Sequence, residues 1–197
     1  YPRPESSVTK LLKALSQLQN TPFPIRVISP VDRYFKGLAA GLSGQQAIDY
    51  QDIAAAVQRP EFVSALHRSH PALHALLRDT CSITMLTGSS KINVVPPIAE
   101  AEVDCRMLPD RAASSFVADF KARVAGEGLT VDLTMAFSPA ISDASSSLID
   151  SIQSTLSARH PGARFTFSVA SGFTDSHFTR DLGIQSYGFS PMLYLDG

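Results

Sequence analysis

Several groups of residues in this chain have side chains and spacings that could do chemistry. His67, His70 and His74 lie three and four residues apart, so on one continuous helix they would share a face and could hold a metal. Pro71 stands between the last two and breaks a helix there, so the alternative is a set of separate, solvated surface imidazoles. Asp175-Ser176-His177 follows Gly172 in a loop that opens a helix. Backbone N–H groups and the Thr174 and Ser176 hydroxyls would meet a carboxylate or oxyanion there. The plainer reading of the same loop is helix capping by Thr174 or Asp175. Glu102, Asp104 and Arg106 alternate with apolar residues, which places all of them on one strand face. Arg106 either pairs with its neighbours or offers a planar fork to a substrate carboxylate. Asn93, ahead of Val94-Val95-Pro96-Pro97, carries an amide suited to an oxyanion. His160, beside Pro161 and Gly162, reads as the partner of a helix C-terminus. The sequence has no G-x-S-x-G, G-x-G-x-x-G or phosphate-cradling glycine loop, which leaves acyl-serine and nucleotide chemistry without support.

The elements that must position these residues follow from hydrophobic periodicity. Val8, Leu11, Leu12, Leu15 and Leu18 predict a helix over 7–18, capped by Ser6 or Ser7 and stopped by Pro22 and Pro24. Residues 27–80 read as helical patches at 32–40, 50–58, 61–69 and 72–78, separated by Gly41, Gly44, Pro60 and Pro71. From Ala99 the period changes to two: Ala101, Val103, Cys105 and Met107 are apolar and their neighbours polar, the pattern of a half-buried strand. Residues 83–87 and 92–95, joined by Gly88-Ser89-Ser90, and the alternating run 129–137 read as further strands. Phe116, Val117, Phe120 and Val124 mark a helix between them, closed by Gly126 and Gly128. Helix, strand, strand, helix, strand is an α+β order, an antiparallel ferredoxin-like sheet with helices on one face. The split βαβ plan opens with one more strand, expected upstream of Tyr1.

After Phe137 a small-residue linker leads to a helix with Leu148, Ile149, Ile152 and Leu156 on one side. Strands at 164–169 and 186–189 then flank the Gly172 loop and a short helix, a βαβ order. The expected division is therefore a domain over 1–137, with a helical insertion at 27–80, and a second unit over 138–197.

Composition sets the limits. The 197 residues carry 17 basic and 18 acidic side chains, a formal charge of -1, which argues against a nucleic-acid footprint or a polybasic membrane tether. With 44% hydrophobic residues the chain can bury a core, and no apolar run is long enough to span a bilayer. Cys81 and Cys105 need not pair, which fits a reducing compartment, so a cytoplasmic protein is expected. The chain starts at Tyr1 rather than methionine and stops without finishing an element, the expected signs of a piece of a longer protein.

Two phrases carry a resemblance. Arg78-Asp79-Thr80-Cys81, Thr84-Met85-Leu86 and Lys91-Ile92-Asn93-Val94-Val95-Pro96-Pro97 run on through Ala99 to Pro109. They resemble the lid, or dimerisation, domain of the M20 metallopeptidase family, the di-zinc aminoacylases and carboxypeptidases. Gly172 to Phe178, with Leu182-Gly183-Ile184 and Ser186 to Pro191, resembles that family's late catalytic-domain segment, and Pro2 to Leu15 the start of the lid's first helix. The resemblance implies a parent hydrolase that cleaves the amide bond of an N-acyl amino acid or short peptide, uses two zinc ions and works as a homodimer through the lid. It implies that Asn93 reaches across the dimer to the substrate oxyanion, that Arg106 contacts the substrate carboxylate, and that Gly172 and Thr174 line the pocket. His177 stands where many relatives have arginine, leaving either substrate contact or loop packing. The zinc ligands and the general base would lie outside this chain, which alone is expected to bind no zinc and to be inactive. The rival from another class is a free-standing ferredoxin-like association or ligand-binding module. A self-sufficient hydrolase on the histidine cluster is the third reading.

Overall fold

The computed structural model of the chain describes residues 5–170 and 172–189. Pro2, Ser171, Ser190 and Pro191, which belong to segments singled out above, lie outside the described residues. Helix α1 (Ser7–Asn20) begins at a capping box: the Ser6 hydroxyl accepts from the Thr9 backbone N–H, and the Ser6 N–H donates to Thr9 Oγ1. Its stripe buries Ala14, Leu15 and Leu18.

Residues 29–75 form a compact helical block of α2 (Ser29–Ala39), α3 (Gly44–Gln51), α4 (Ile53–Ala56), α5 (Pro60–Ser69) and α6 (Pro71–Ala75). Proline opens α2, α5 and α6 in the first turn, where its missing N–H costs nothing. The expected helix over 50–58 is divided at Asp52, whose carboxylate caps α4 by accepting from the Ala55 N–H. Val31, Phe35, Ile53 and Leu77 are fully buried inside this block, and Phe35 meets Tyr50 edge to face at 5.0 Å.

Strands β1 (Thr80–Thr87) and β2 (Glu100–Arg106) then pair antiparallel. The ladder slips at Thr84, between the pairs Ile83↔Val103 and Met85↔Glu102. The bulge switches the face of the side chains that follow it, so Met85 falls opposite Glu102 of the wet face whereas Ile83 falls opposite Val103. Helix α7 (Ala113–Arg123) and its C-cap Val124 lay Phe116 and Val124 against Ala14, Leu18 and Phe23, with Phe23 and Phe116 rings 5.2 Å apart. Cys81 and Cys105 are direct cross-strand partners and are joined as a disulfide. This corrects the expectation that they need not pair. The register brings them face to face on the inner side of the sheet, and the ground for a reducing compartment goes with it.

Asp79 joins the two cores. Its side chain is fully buried and accepts from both Nη atoms of Arg26 at 3.0 and 3.1 Å, from Arg111 at 3.4 Å and from the Leu108 N–H at 2.8 Å. A buried carboxylate is tolerable only with such complete pairing.

Beyond α7, α8 (Ser147–Arg159) is capped by Ser146, and α9 (Ser176–Asp181) ends in a Schellman motif. There the Gly183 and Ile184 N–H groups donate to the Arg180 and Thr179 carbonyls, with Gly183 at φ 77°. The described residues thus form an α+β assembly of helices with one two-stranded antiparallel sheet. The runs 92–95, 129–137, 164–169 and 186–189, expected as strands, are in no ladder among the described residues. Alternation reports which side chains call for burial, whereas a strand also needs a facing edge for its N–H and C=O groups. Leu129 and Val131 reach the core around Phe23 and Phe116, but Leu133 and Met135 beyond them are 59% and 70% exposed. No helix among the described residues is long and apolar enough to cross a membrane.

Candidate functional site

Arg106 ends β2 on the wet face that also carries Glu100, Glu102 and Asp104. Its Nε and Nη2 lie 3.0 and 2.8 Å from Asp104 Oδ2, with both side chains 49% exposed. An exposed pair of this kind contributes under about 1 kcal/mol, so the guanidinium is held ready yet easily exchanged for another carboxylate. Asn93 sits in the turn between β1 and β2, exposed and without a hydrogen bond among the described residues. Its loop is pinned: Ser89 Oγ donates to the Lys91 carbonyl, the Val94 N–H returns to the same carbonyl, and Ser7 Oγ holds the Pro96 carbonyl at 2.7 Å. The amide is therefore presented to solvent on a fixed support. Among the described residues no hydrogen bond joins Asn93 to Arg106.

The Gly172 loop has a different character. A side chain at Gly172 would meet nothing within 4 Å, and Thr174 is exposed. Asp175 stands at the N-cap of α9 but makes no side-chain cap bond; the Thr174 and Asp175 carbonyls accept from the His177 and Phe178 N–H groups instead. His177 is enclosed. Its Nε2 lies 3.3 Å from Asp181 Oδ2, one turn along α9, and its ring centroid is 5.1 Å from Phe137 and 5.0 Å from Phe178. Its Nδ1 is buried without a partner among the described residues. Phe137 also meets Phe173 at 4.4 Å, so an aromatic cluster joins the end of the 129–137 run to the Gly172 loop. Periodicity singled out Phe137 as a strand residue but gave no sign of this cluster, because its members are far apart in sequence.

The Asp79 network was likewise invisible in the sequence. In it Arg26 also binds Asp110, with Nη2 2.8 Å from Oδ1. The hydrogen bonds it donates to Asp110 and then to Asp79 hold the Arg26 guanidinium more firmly protonated, and Arg26 in turn holds the Asp110 carboxyl below the usual carboxylate range. The network fixes the stretch from Leu108 to Arg111 that follows Arg106.

The three histidines of the insertion part company. His67 and His74 stack at 4.5 Å, while His70 Nδ1 lies 2.9 Å from Ser69 Oγ. Among the described residues no group of three or more His, Cys, Asp or Glu side chains is arranged to hold a metal ion. A pair of metal ions therefore finds no fitting donor set in these residues.

Comparison with known proteins bears on this geometry. The family model of the peptidase dimerisation domain of M20 enzymes matches residues 3–132, which include both Asn93 and Arg106. An N-fatty-acyl-amino acid synthase/hydrolase, PM20D1, of Mus musculus is 30% identical over 139 residues, covering 70% of this chain and 27% of that protein. Its counterpart of Homo sapiens is 26% identical over 200 residues, 97% of this chain and 38% of that protein. A probable carboxypeptidase S-like 2 of Dictyostelium discoideum is 24% identical over 195 residues, 98% of this chain and 37% of that protein. The chain thus spans between about a quarter and two fifths of the length of the curated relatives it matches. No solved structure gives a significant match.

Proposed function

Since the chain belongs to the M20 metallopeptidase family, we propose that it is the dimerisation and substrate-contacting part of a longer hydrolase that cleaves the amide bond of an N-acyl amino acid or short peptide. The observation that carries this reading is the dimerisation-domain match over residues 3–132, with Asn93 and Arg106 both inside it and both on open surface. Relatives described as a fatty-acyl-amino acid synthase/hydrolase and as carboxypeptidase S-like support a substrate that has an amide next to a carboxylate.

In this reading residues 1–137 are the lid, built on a ferredoxin-like plan, and residues 138–197 belong to the catalytic domain. Two lids associate about a two-fold axis, and each offers its exposed polar face to the site of the partner subunit. Arg106 exchanges Asp104 for the substrate carboxylate, which its planar fork binds by two parallel N–H···O bonds. The Asn93 amide donates to the oxygen that gains charge as the amide carbon becomes tetrahedral, an interaction stronger in the transition state than in the bound substrate. Gly172, where no side chain intrudes, and Thr174 line the path of the substrate. The family is metal-dependent, and the zinc ions implied for the parent belong to residues other than those described here.

Kinetics of Arg106→Ala in the full-length parent test this. Loss of one charge-assisted contact is expected to raise KM or lower kcat/KM about tenfold or more. Unchanged kinetics on a carboxylate-bearing substrate would overturn the role.

A further inference from the structure

At the end of the helical insertion two imidazoles stack within electrostatic reach of a guanidinium, and among the described residues no acid pairs with any of the three. His67 on α5 and His74 on α6 stack ring on ring, their centroids 4.5 Å apart and their planes 8° from parallel. Pro71 separates the two helices, as its place in the sequence predicts, yet α6 folds back far enough for the rings to meet. Arg78 follows one turn after His74, held there by the Leu77 N–H donating to the His74 carbonyl. The Arg78 side chain is half-buried and has neither hydrogen bond nor ion pair among the described residues, and its Nε is buried without a partner. Asp79 next to it cannot serve, because Arg26, Arg111 and the Leu108 N–H occupy that carboxylate. Arg59, by contrast, has Asp49 to pair with in the same helical block.

A guanidinium nitrogen drawn out of water without a partner is unfavourable, and a bound anion would relieve that cost. We propose that His67, His74 and Arg78 form a binding site for an oxyanion. A carboxylate or phosphate group would accept from the Arg78 fork and from imidazole N–H groups. The site lies on the insertion, shares no residue with Asn93, Arg106 or the Gly172 loop, and does not depend on the hydrolase reading. In the free protein, burial first, then the charges of Arg78 on the α6–β1 link and His67 on α5, lower the His74 pKa to about 4. An anion seated beside the ring favours the imidazolium, so occupancy raises that pKa.

Nuclear magnetic resonance of the His74 ring in the full 197-residue chain tests the site. Inorganic phosphate, acetate and, at matched ionic strength, sodium chloride form the separate arms. Saturable binding with a raised His74 pKa is expected for at least one oxyanion and not for chloride. Response to phosphate alone would support a phosphate ester as ligand, to acetate alone a carboxylate, and to both the shared oxyanion chemistry. Arg78→Gln is expected to weaken binding about tenfold or more, the worth of a charged hydrogen bond. His67→Gln, at an exposed position that leaves the fold intact, is expected to weaken it to a smaller extent. No saturable response to either oxyanion, an equal response to chloride, or unchanged affinity in both variants would overturn the proposal.

Discussion

Residues 5–124 and residues 129–189 both carry regular apolar stripes, but only the first stretch buries them well. In the first, Phe35, Ile53 and Leu77 are inaccessible to solvent, and Phe116 is sealed against Phe23 and Leu18. In the second, Ile149 is the one buried hydrophobic side chain among the described residues, while Leu133, Met135, Phe178 and Leu182 are more than half exposed. The polar groups differ as well: the Asp79 side chain is fully enclosed and its bond from the Leu108 N–H is buried, whereas the Ser142, Arg180 and Ser186 hydrogen bonds are part-buried. Periodicity declares a demand for burial, and a facing surface must then meet it. In the hydrolase reading that surface belongs to the remainder of the longer enzyme.

The comparison can be broken most forcefully at Asp79. Asp79→Ala leaves Arg26, Arg111 and the Leu108 N–H facing a buried gap, and we expect a loss of about 3–5 kcal/mol in urea unfolding. Loss of well under 1 kcal/mol would show that the two cores of the first region are not held together there.

A smaller effect tests whether the regions touch. A Cβ built on Gly37 of α2 would lie 1.9 Å from Thr166 Oγ1 and 2.6 Å from its Cβ. Arg33, one turn earlier, lies over the Phe167 ring at 5.8 Å. Gly37→Ala is therefore expected to destabilise by about 1–3 kcal/mol, and Thr166→Gly to relieve most of that in the double variant. Additive effects would mean that α2 and residues 164–169 pack independently.

Smallest of all should be Met135→Ala, at a side chain 70% exposed, which we expect to change the stability of this chain by no more than about 0.5 kcal/mol. A cost near that of a core residue would contradict the contrast between the regions.

What could be read from the sequence was local. The α1 helix was legible because its cap, its stripe and its proline stop lie within a few residues of one another, and the β2 alternation was legible because Ala101, Val103 and Cys105 keep one period. Features set by register or by distant partners were not. The Cys81–Cys105 bond follows from which residues oppose across the ladder, and the Thr84 bulge from how that ladder slips. Asp79 draws its partners from residues 26, 108 and 111, and no local pattern marks such a set. Among the candidate residues, the wet face holding Arg106 was legible from alternation, while the ring cluster around His177 depends on Phe137, forty residues before it.

Asn93→Ala in the full-length parent, assayed on an N-acyl amino acid alongside its oligomeric state, tests the central claim most directly. The account predicts a dimer as stable as the wild type and a kcat lowered about 10²-fold or more, the effect of removing one oxyanion donor. An intact dimer with undiminished kcat/KM would contradict it.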